Sequence, residues 1–297
     1  AWSEDWLLLL PLVPIAAVVV FRAVAQPLSG VDTIFRWNFL AEQMLTHRSL
    51  SFYPPVSAAD FELYSWPAGI APVVSAFYFW SYALAGAARP GLTAPVVILQ
   101  FALLLIAAHA LGRRWFSPRA AAFGVALIAG SPLIAWATAM GQETGLTALA
   151  VVGLLLYLPR TRAEESTGVV VAAGLAAGLG AVAREYGLAL PLFGLALGGV
   201  RRLSRRTLLL FGSVTALTAL PWYARNWLRT GNPLYDLNLD GLFASNPVHS
   251  LLAGCFQRAF GWANVPPEAP QLLAVNAGAG LLGLAAGLVL LRRPAAA

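Results

Sequence analysis

The side chains able to do acid–base or anion-binding chemistry fall at a few places. Asp32 stands four residues ahead of Arg36, Glu62 follows at a distance, Glu143 opens an apolar run, Arg184-Glu185 separates two more, and Arg225 and Arg229 bracket Asn226-Trp227-Leu228. A carboxylate within reach of a hydroxyl can take its proton. Two carboxylates can hold a hard divalent cation through oxygen, and a planar guanidinium binds phosphate oxygens in pairs. Each group also has a plainer use. Asp32 can cap the helix that follows it, Glu143 can sit in the first turn of its helix, Arg184 can pair with Glu185, and Glu62 can be a solvated loop acid. Other chemistries lack their residues. His47, His109 and His249 have no ligand-like spacing, so no zinc site is supported. There is no Gly-x-x-x-x-Gly-Lys loop and no Gly-x-Ser-x-Gly elbow, and the single Cys255 excludes an intrachain disulfide.

Composition dictates the elements that must position these groups. Hydrophobic side chains make up 59% of the 297 residues, charged ones only 11%, and the mean hydropathy is +0.71. A soluble domain runs near half apolar and a quarter charged, so the expected fold is an all-α, polytopic integral membrane protein. Apolar runs lie at about 6–25, 67–88, 93–112, 120–139, 144–158, 168–183, 186–200, 207–222 and 271–291. The first reads as an uncleaved span rather than a signal peptide, because Ala1-Trp2-Ser3-Glu4-Asp5 is acidic where a signal is basic. All 19 basic residues are Arg, and 11 of them follow alternate runs, at 113, 114, 119, 160, 162, 201, 202, 205, 206, 292 and 293. Clusters two spans apart share a side, and by the positive-inside rule that side is cytoplasmic. This topological use of Arg explains the charge of +6 without nucleic acid.

Residues 67–88 are the ambiguous run. They begin at Trp66-Pro67, contain Pro72 and are crowded with Phe77, Tyr78, Phe79, Trp80 and Tyr82, the aromatic content of an interface. Read as an interfacial or re-entrant helix, they leave about eight transmembrane helices and make 26–91 one extracytoplasmic loop. Within it Ile34, Trp37, Ala41, Met44 and Leu45 recur opposite Arg36, Asn38 and Glu42, which predicts an amphipathic helix over 33–47 lying on the membrane. A second large extracytoplasmic loop spans 222–270, and the chain, 1–297, reads as a single membrane domain. Its small residues over 168–200 allow close helix packing. Asp32, Glu62, Glu143, Arg184-Glu185, Arg225 and Arg229 then converge on one face of the membrane, where charges at span ends call for a solvated cavity.

At this point the residues resemble the GT-C superfamily. Gly30-Val31-Asp32-Thr33-Ile34-Phe35-Arg36-Trp37 after an outward first span, then Tyr64-Ser65-Trp66-Pro67 leading into a second juxtamembrane helix, are similar to the protein O-mannosyltransferase and aminoarabinose-transferase branch. So are Glu143 at a short turn, Ala183-Arg184-Glu185-Tyr186-Gly187, and Pro221-Trp222-Tyr223-Ala224-Arg225-Asn226-Trp227 with Thr230-Gly231-Asn232-Pro233-Leu234-Tyr235. The likeness covers about 6–240. It implies inverting transfer of a sugar from a polyprenyl-phosphate donor to a lipid, glycan or protein acceptor on the extracytoplasmic face. Asp32 matches the general base, with Glu143 positioning the acceptor or a second proton. The substrate-contacting set is then Arg36, Glu62, Arg184, Glu185 and Arg225. The branch implies no cofactor, and a divalent cation held by Asp32 and Glu143 is the disfavoured alternative.

Two features depart from that branch: Thr33 stands where a second acid commonly pairs with the first, and Glu62 lies four residues ahead of Trp66 with no basic neighbour. They motivate the alternative of an inactive or truncated GT-C-like subunit serving as a scaffold, with another membrane protein as partner. A transporter for a lipid-linked sugar is less favoured, because the acids cluster at span ends rather than within spans. Expected partners are the lipid-linked donor and membrane lipids. Exclusive use of Arg and richness in Ala and Gly point to a bacterial inner membrane.

Overall fold

The computed structural model describes residues 7, 9–66, 69–235, 237, 242–243 and 247–275. The ninth apolar run beyond 275, Arg292 and Arg293, and Pro67 lie outside the described residues. Everything regular among those described is helical, with no strand.

The helices start and stop where local chemistry requires. α1 spans Leu12–Ala25, and π-helical turns at Thr33–Asn38 lead into α2, Phe39–His47. A short α3, Ala58–Leu63, is opened by a capping box between Ser57 and Asp60. α4 follows at Val73–Ala85 and α5 at Ala94–Trp115. α6 (Pro118–Gly130) and α7 (Pro132–Ala139) form a pair bent by 62° at Ser131-Pro132. Pro132 removes a donor and pushes Ser131 into extended backbone, which breaks the run in two. α8 spans Glu143–Tyr157, α9 Thr167–Ala183, α10 Ala189–Val200 and α11 Arg205–Thr230. The side chains of Ser166 and Ser204 cap α9 and α11, and Gly231 at φ +74° ends α11 in the left-handed conformation that suits glycine. α12 covers Pro247–Phe260.

Two helices, Pro90–Trp115 and Arg205–Thr230, are long and apolar enough to cross a membrane, and the bent pair α6–α7 makes a third if it counts as one span. The expectation of about eight full-length spans is not met by helix length among the described residues. Five other apolar helices are shorter; α8, with 15 residues, rises only about 22 Å against a hydrocarbon core of about 30 Å. The apolar runs are long enough on paper, but proline, 3-10 turns at 90–93 and 185–188, and glycine turns shorten the helices they form.

α9 is the central helix, packed against α8, α10 and α11. Ala173, Ala177 and Ala181 are fully buried. A Cβ at Gly174 would lie 2.8 Å from Val214, and one at Gly178 2.5 Å from Thr218, so α11 can lie this close only because those side chains are missing. α5 packs against α6 and α8, and α1 against α5, α6 and α7. The outward faces carry exposed Phe21, Ile106, Leu192, Leu209 and Leu217.

The hairpins give the bundle two unlike ends. At one, the Arg clusters meet: Arg114 bonds the Leu156 carbonyl and Glu164, and Arg160 reaches the Arg114 carbonyl. Arg162 bonds the Arg202 carbonyl at 2.8 Å, and Arg201 bonds the carbonyls of Leu158 and Pro159. The Arg160 backbone N–H foremost, with the Arg160 and Arg114 side chains, holds the Glu164 carboxyl down at about 2. The other end carries the long first loop, the turns before α8 and α10, and the last turns of α11.

One element of that loop departs from its sequence pattern. Trp37 and Ala41 are buried as expected, but Arg36 and Asn38 are buried too and Ile34 is exposed. The wider i→i+5 winding of Thr33–Asn38 shifts these side chains off the face that a regular α-helix would give them.

Overpacking at the central contact should be costly. Gly178→Leu is expected to lower stability by about 1–3 kcal/mol, whereas Gly212→Ala, whose added Cβ meets nothing within 4 Å, should leave it unchanged or slightly raised; thermal unfolding of the detergent-solubilised protein reads both.

Candidate functional site

At the loop end, the last turns of α11 fasten the first loop in place. Trp222 Nε1 and Asn226 Nδ2 both donate to the Gly69 carbonyl, at 2.9 and 2.8 Å. Arg225 donates to the Leu50 carbonyl at 2.7 Å, and Arg229 to the Pro54 carbonyl at 2.8 Å and to Asp60 at 2.9 Å. The Thr230-Gly231-Asn232 turn is internally bonded: Asn232 Oδ1 accepts from the Leu234 N–H at 2.8 Å, and Thr230 donates to the Asn226 carbonyl at 2.7 Å. Tyr235 then donates to the Pro55 carbonyl at 3.0 Å. The segment from Trp222 to Tyr235 is thus a structural latch. Ordinary hydrogen-bonding side chains do the work, several of them closing on backbone carbonyls.

This latch builds an aromatic wall with a guanidinium at each end. Arg36 lies over Trp66 at 5.2 Å and Trp37 at 5.9 Å, and the Arg36 carbonyl accepts from the Tyr64 hydroxyl at 3.4 Å. Tyr64 meets Tyr53 edge-on at 5.2 Å, Tyr53 stacks on Trp222 at 5.8 Å, and Arg225 lies over Trp222 at 5.1 Å. Arg36 Nε and Arg225 Nη1 are buried without a hydrogen-bond partner.

Asp32 stands at the Arg36 end. Asp32 is 52% exposed, 4.0 Å from a buried Arg36. It does not cap its helix, because the Gly30 carbonyl already takes the Thr33 and Ile34 N–H groups at 3.0 and 3.2 Å. Its neighbour Thr33, fully buried, donates to the Met140 carbonyl at 2.8 Å. Tyr78 on α4 donates to the Gly141 carbonyl, and Gly141, at φ +70°, has no room for a side chain against that hydroxyl. Clamped from both sides, this turn sets Glu143, whose side chain is 11% exposed and pairs with Arg184 at 3.4 Å. Arg184 reaches Glu185 at 3.5 Å, so one guanidinium serves two carboxylates. Glu143 Oε2 is left buried and unbonded. A cavity of about 10 Å³ separates Arg184 and Glu185 from Trp222, Tyr223 and Asn226.

The structure therefore pairs Asp32 with Arg36, gathers Glu143 and Glu185 around the Arg184 guanidinium, links the two groups through the bond from Thr33 to the Met140 carbonyl, and places Arg225 against Trp222. Glu62 is exposed on α3. The loop acid that is engaged is Asp60, tied to Arg229, and nothing in residue type distinguishes the two; only the Ser57-x-x-Asp60 capping signature does. Thr33, Tyr78 and Asn226 also escape a reading by charge, since their role depends on carbonyls remote in sequence. Among the described residues no three His, Cys, Asp or Glu side chains gather as metal ligands do. No protein family, no characterised protein and no solved structure matches the chain.

The latch should respond to acid. Burial by itself raises the Asp60 pKa, but hydrogen bonds from the Ser57 side chain and from the Val56 and Ser57 N–H groups, with the Arg229 charge, outweigh it and bring it below its ordinary value. Stability from this carboxylate is then complete above the ordinary aspartate range and lost as pH falls through the depressed pKa. Asp60→Ala is expected to cost about 2 kcal/mol at neutral pH, and the gap between its thermal unfolding curve and that of the wild type should narrow as the pH falls below the ordinary aspartate range.

Proposed function

We propose that this chain is an inverting membrane glycosyltransferase of GT-C type, moving a sugar from a polyprenyl-phosphate donor to a lipid, glycan or protein acceptor. The observation that carries this is the half-exposed, uncapping Asp32, whose neighbour Thr33 is bonded to the turn before Glu143, the carboxylate that Arg184 pairs with. It stands at the end of the bundle opposite the Arg-rich end. In this reading the Arg-rich end is cytoplasmic, and the shorter apolar helices complete a bundle of about eight crossings in a bacterial inner membrane.

The chemistry is a single displacement. The acceptor hydroxyl gives its proton to Asp32 while its oxygen bonds to the anomeric carbon, and the bond from that carbon to the phosphate oxygen breaks with its electron pair leaving on the lipid phosphate. Arg36, 4.0 Å away, orients the Asp32 carboxylate toward the sugar. Arg225 Nη1, buried and unpartnered, is the donor left to meet phosphate. Arg184, shared by two carboxylates, serves to hold Glu143 toward the acceptor.

A second reading has its own support: the cavity between Arg184 and Trp222 holds only about 10 Å³, as a packed, inactive scaffold subunit would. The two separate by assay. In detergent with polyprenyl-phosphate sugars, Asp32→Asn should lower transfer by about 10²–10⁴-fold with unfolding unchanged, and Glu268→Gln, at an exposed site, should have no effect. Full activity in Asp32→Asn removes Asp32 from the mechanism. Absence of transfer, together with fixed-stoichiometry copurification of another membrane protein, favours the scaffold. Topology is read in a Cys255→Ser background: cysteines at Glu62 and Arg119 should react with an impermeant maleimide from opposite sides of the membrane.

A further inference from the structure

The second large loop holds a helix that no step above uses. α12 has 14 residues, a length of about 21 Å, and carries Val248, Leu251, Leu252, Cys255 and Ala259 at i, i+3, i+4, i+7 and i+11. On a helix these fall within one stripe about 100° wide, with Ser250 and Gln257 on the opposite side. Such a stripe ordinarily faces a core. Here Leu251 is 66% exposed and Val248 48%, Cys255 and Ala259 are exposed as well, and Leu252 is half-buried. The helix packs against the turn that follows it, Trp262–Asn264. That turn closes the helix end: Asn264 Nδ2 donates to the Arg258 carbonyl, and the Asn264 N–H to the Gly261 carbonyl at 2.8 Å. The segment thus bonds its own backbone end while its apolar stripe stays exposed.

Its place in the chain says what the stripe meets. Upstream, α11 is long and apolar enough to cross a membrane and ends at Thr230. Downstream, the chain is helical again from 269, with Leu272, Leu273 and Val275 exposed, where the apolar run of 271–291 begins. In the topology read from the Arg clusters, both points lie at the extracytoplasmic surface. The eight residues 261–268 reach at most about 30 Å when extended, and their turns shorten that. The C-terminal end of α12 is therefore held close to the outer interface, where a helix with one apolar face lies along the lipid. Arg258 stands at the edge of the stripe, its Nη2 donating to Cys255 Sγ at 3.4 Å, the position from which a guanidinium on an apolar stem reaches lipid phosphate. The stripe is aliphatic, without the Trp and Tyr anchors that favour a protein partner.

We infer that α12 docks on the outer lipid surface, with the stripe from Val248 to Ala259 set into the boundary between headgroups and acyl chains and Arg258 at headgroup level. The second loop is then fastened to the membrane at its middle, between the latch that ends α11 and the last apolar run. The inference rests on the membrane topology proposed above but not on sugar transfer.

The single cysteine of the chain lies in the stripe and serves as the probe. The full chain, labelled with bimane at Cys255, is reconstituted into nanodiscs of phosphatidylethanolamine and phosphatidylglycerol. Emission is read with lipid carrying a nitroxide high on its acyl chain and, separately, with aqueous iodide. Cys255 should lose most of its emission to the nitroxide and little to iodide. Gln257→Cys in a Cys255→Ser background, on the opposite side of the helix, should show the reverse. Quenching of Cys255 by iodide as strong as that of Gln257→Cys, without quenching by the nitroxide, overturns the inference. Shielding of Cys255 from both quenchers overturns it too, and identifies a protein surface over the stripe. Release of the chain from membranes by alkaline carbonate overturns the topology beneath it and the inference with it, whereas loss of transfer in Asp32→Asn bears on the sugar-transfer reading alone.

Discussion

The loop end of this bundle depends on how closely α9 can be approached. Gly174 and Gly178 bring α11 into contact, Gly180 admits Leu190, and Gly187 lies against the Gly180 carbonyl with no space for a Cβ. These contacts fix where α9 stops, and so where Arg184 and Glu185 emerge. They also fix the height at which the end of α11 presents Trp222, Arg225 and Asn226. Larger side chains on α9 would move both sets of groups apart. Packing between helices is felt at the level of single methylenes, so the placement of the charges is inherited from the absence of side chains elsewhere.

The two ends treat charge differently. At the Arg-rich end nearly every contact is a guanidinium closing on a carbonyl or acid of the next hairpin, as Arg162 does on Arg202 and Arg201 on Leu158 and Pro159. Such contacts stitch hairpins together. At the loop end a carboxylate oxygen of Glu143 and donors of Arg36 and Arg225 are buried and unbonded. Buried polar atoms are usually bonded, and a chain that leaves several open at one end holds groups in readiness for something else. That asymmetry is the physical content of the functional proposal.

Between the ends, hydroxyl groups act as spacers. Thr33 and Tyr78 hold the turn before Glu143 from two elements more than forty residues apart in sequence. Tyr223 holds the Ala181 carbonyl at 2.5 Å and Tyr53 the Ile70 carbonyl at 2.6 Å. Each is a neutral donor meeting a backbone acceptor at a helix end or break, where carbonyls lack partners. Thr33 likewise has a structural reason: a carboxylate there would face the Met140 carbonyl and could not donate.

The sequence by itself determined the all-helical class, the apolar character of the helices, the Arg-rich connections that meet at one end, and the candidate acids, because these follow from side-chain type and spacing along a single helix. It also carried the Asp32-to-Arg36 spacing that makes an ion pair. Tertiary structure decided the rest. Helix lengths fell short of the apolar runs because proline and turn geometry act on the backbone, not on hydropathy. Arg36 and Asn38 went inward because π-helical winding changed the face they occupy. Asp60 rather than Glu62 was engaged, and Glu143 found Arg184, because these partners lie far apart in the chain. Only the packing of α9 and its neighbours brings such groups within hydrogen-bond reach, and no local pattern encodes a distance across a bundle.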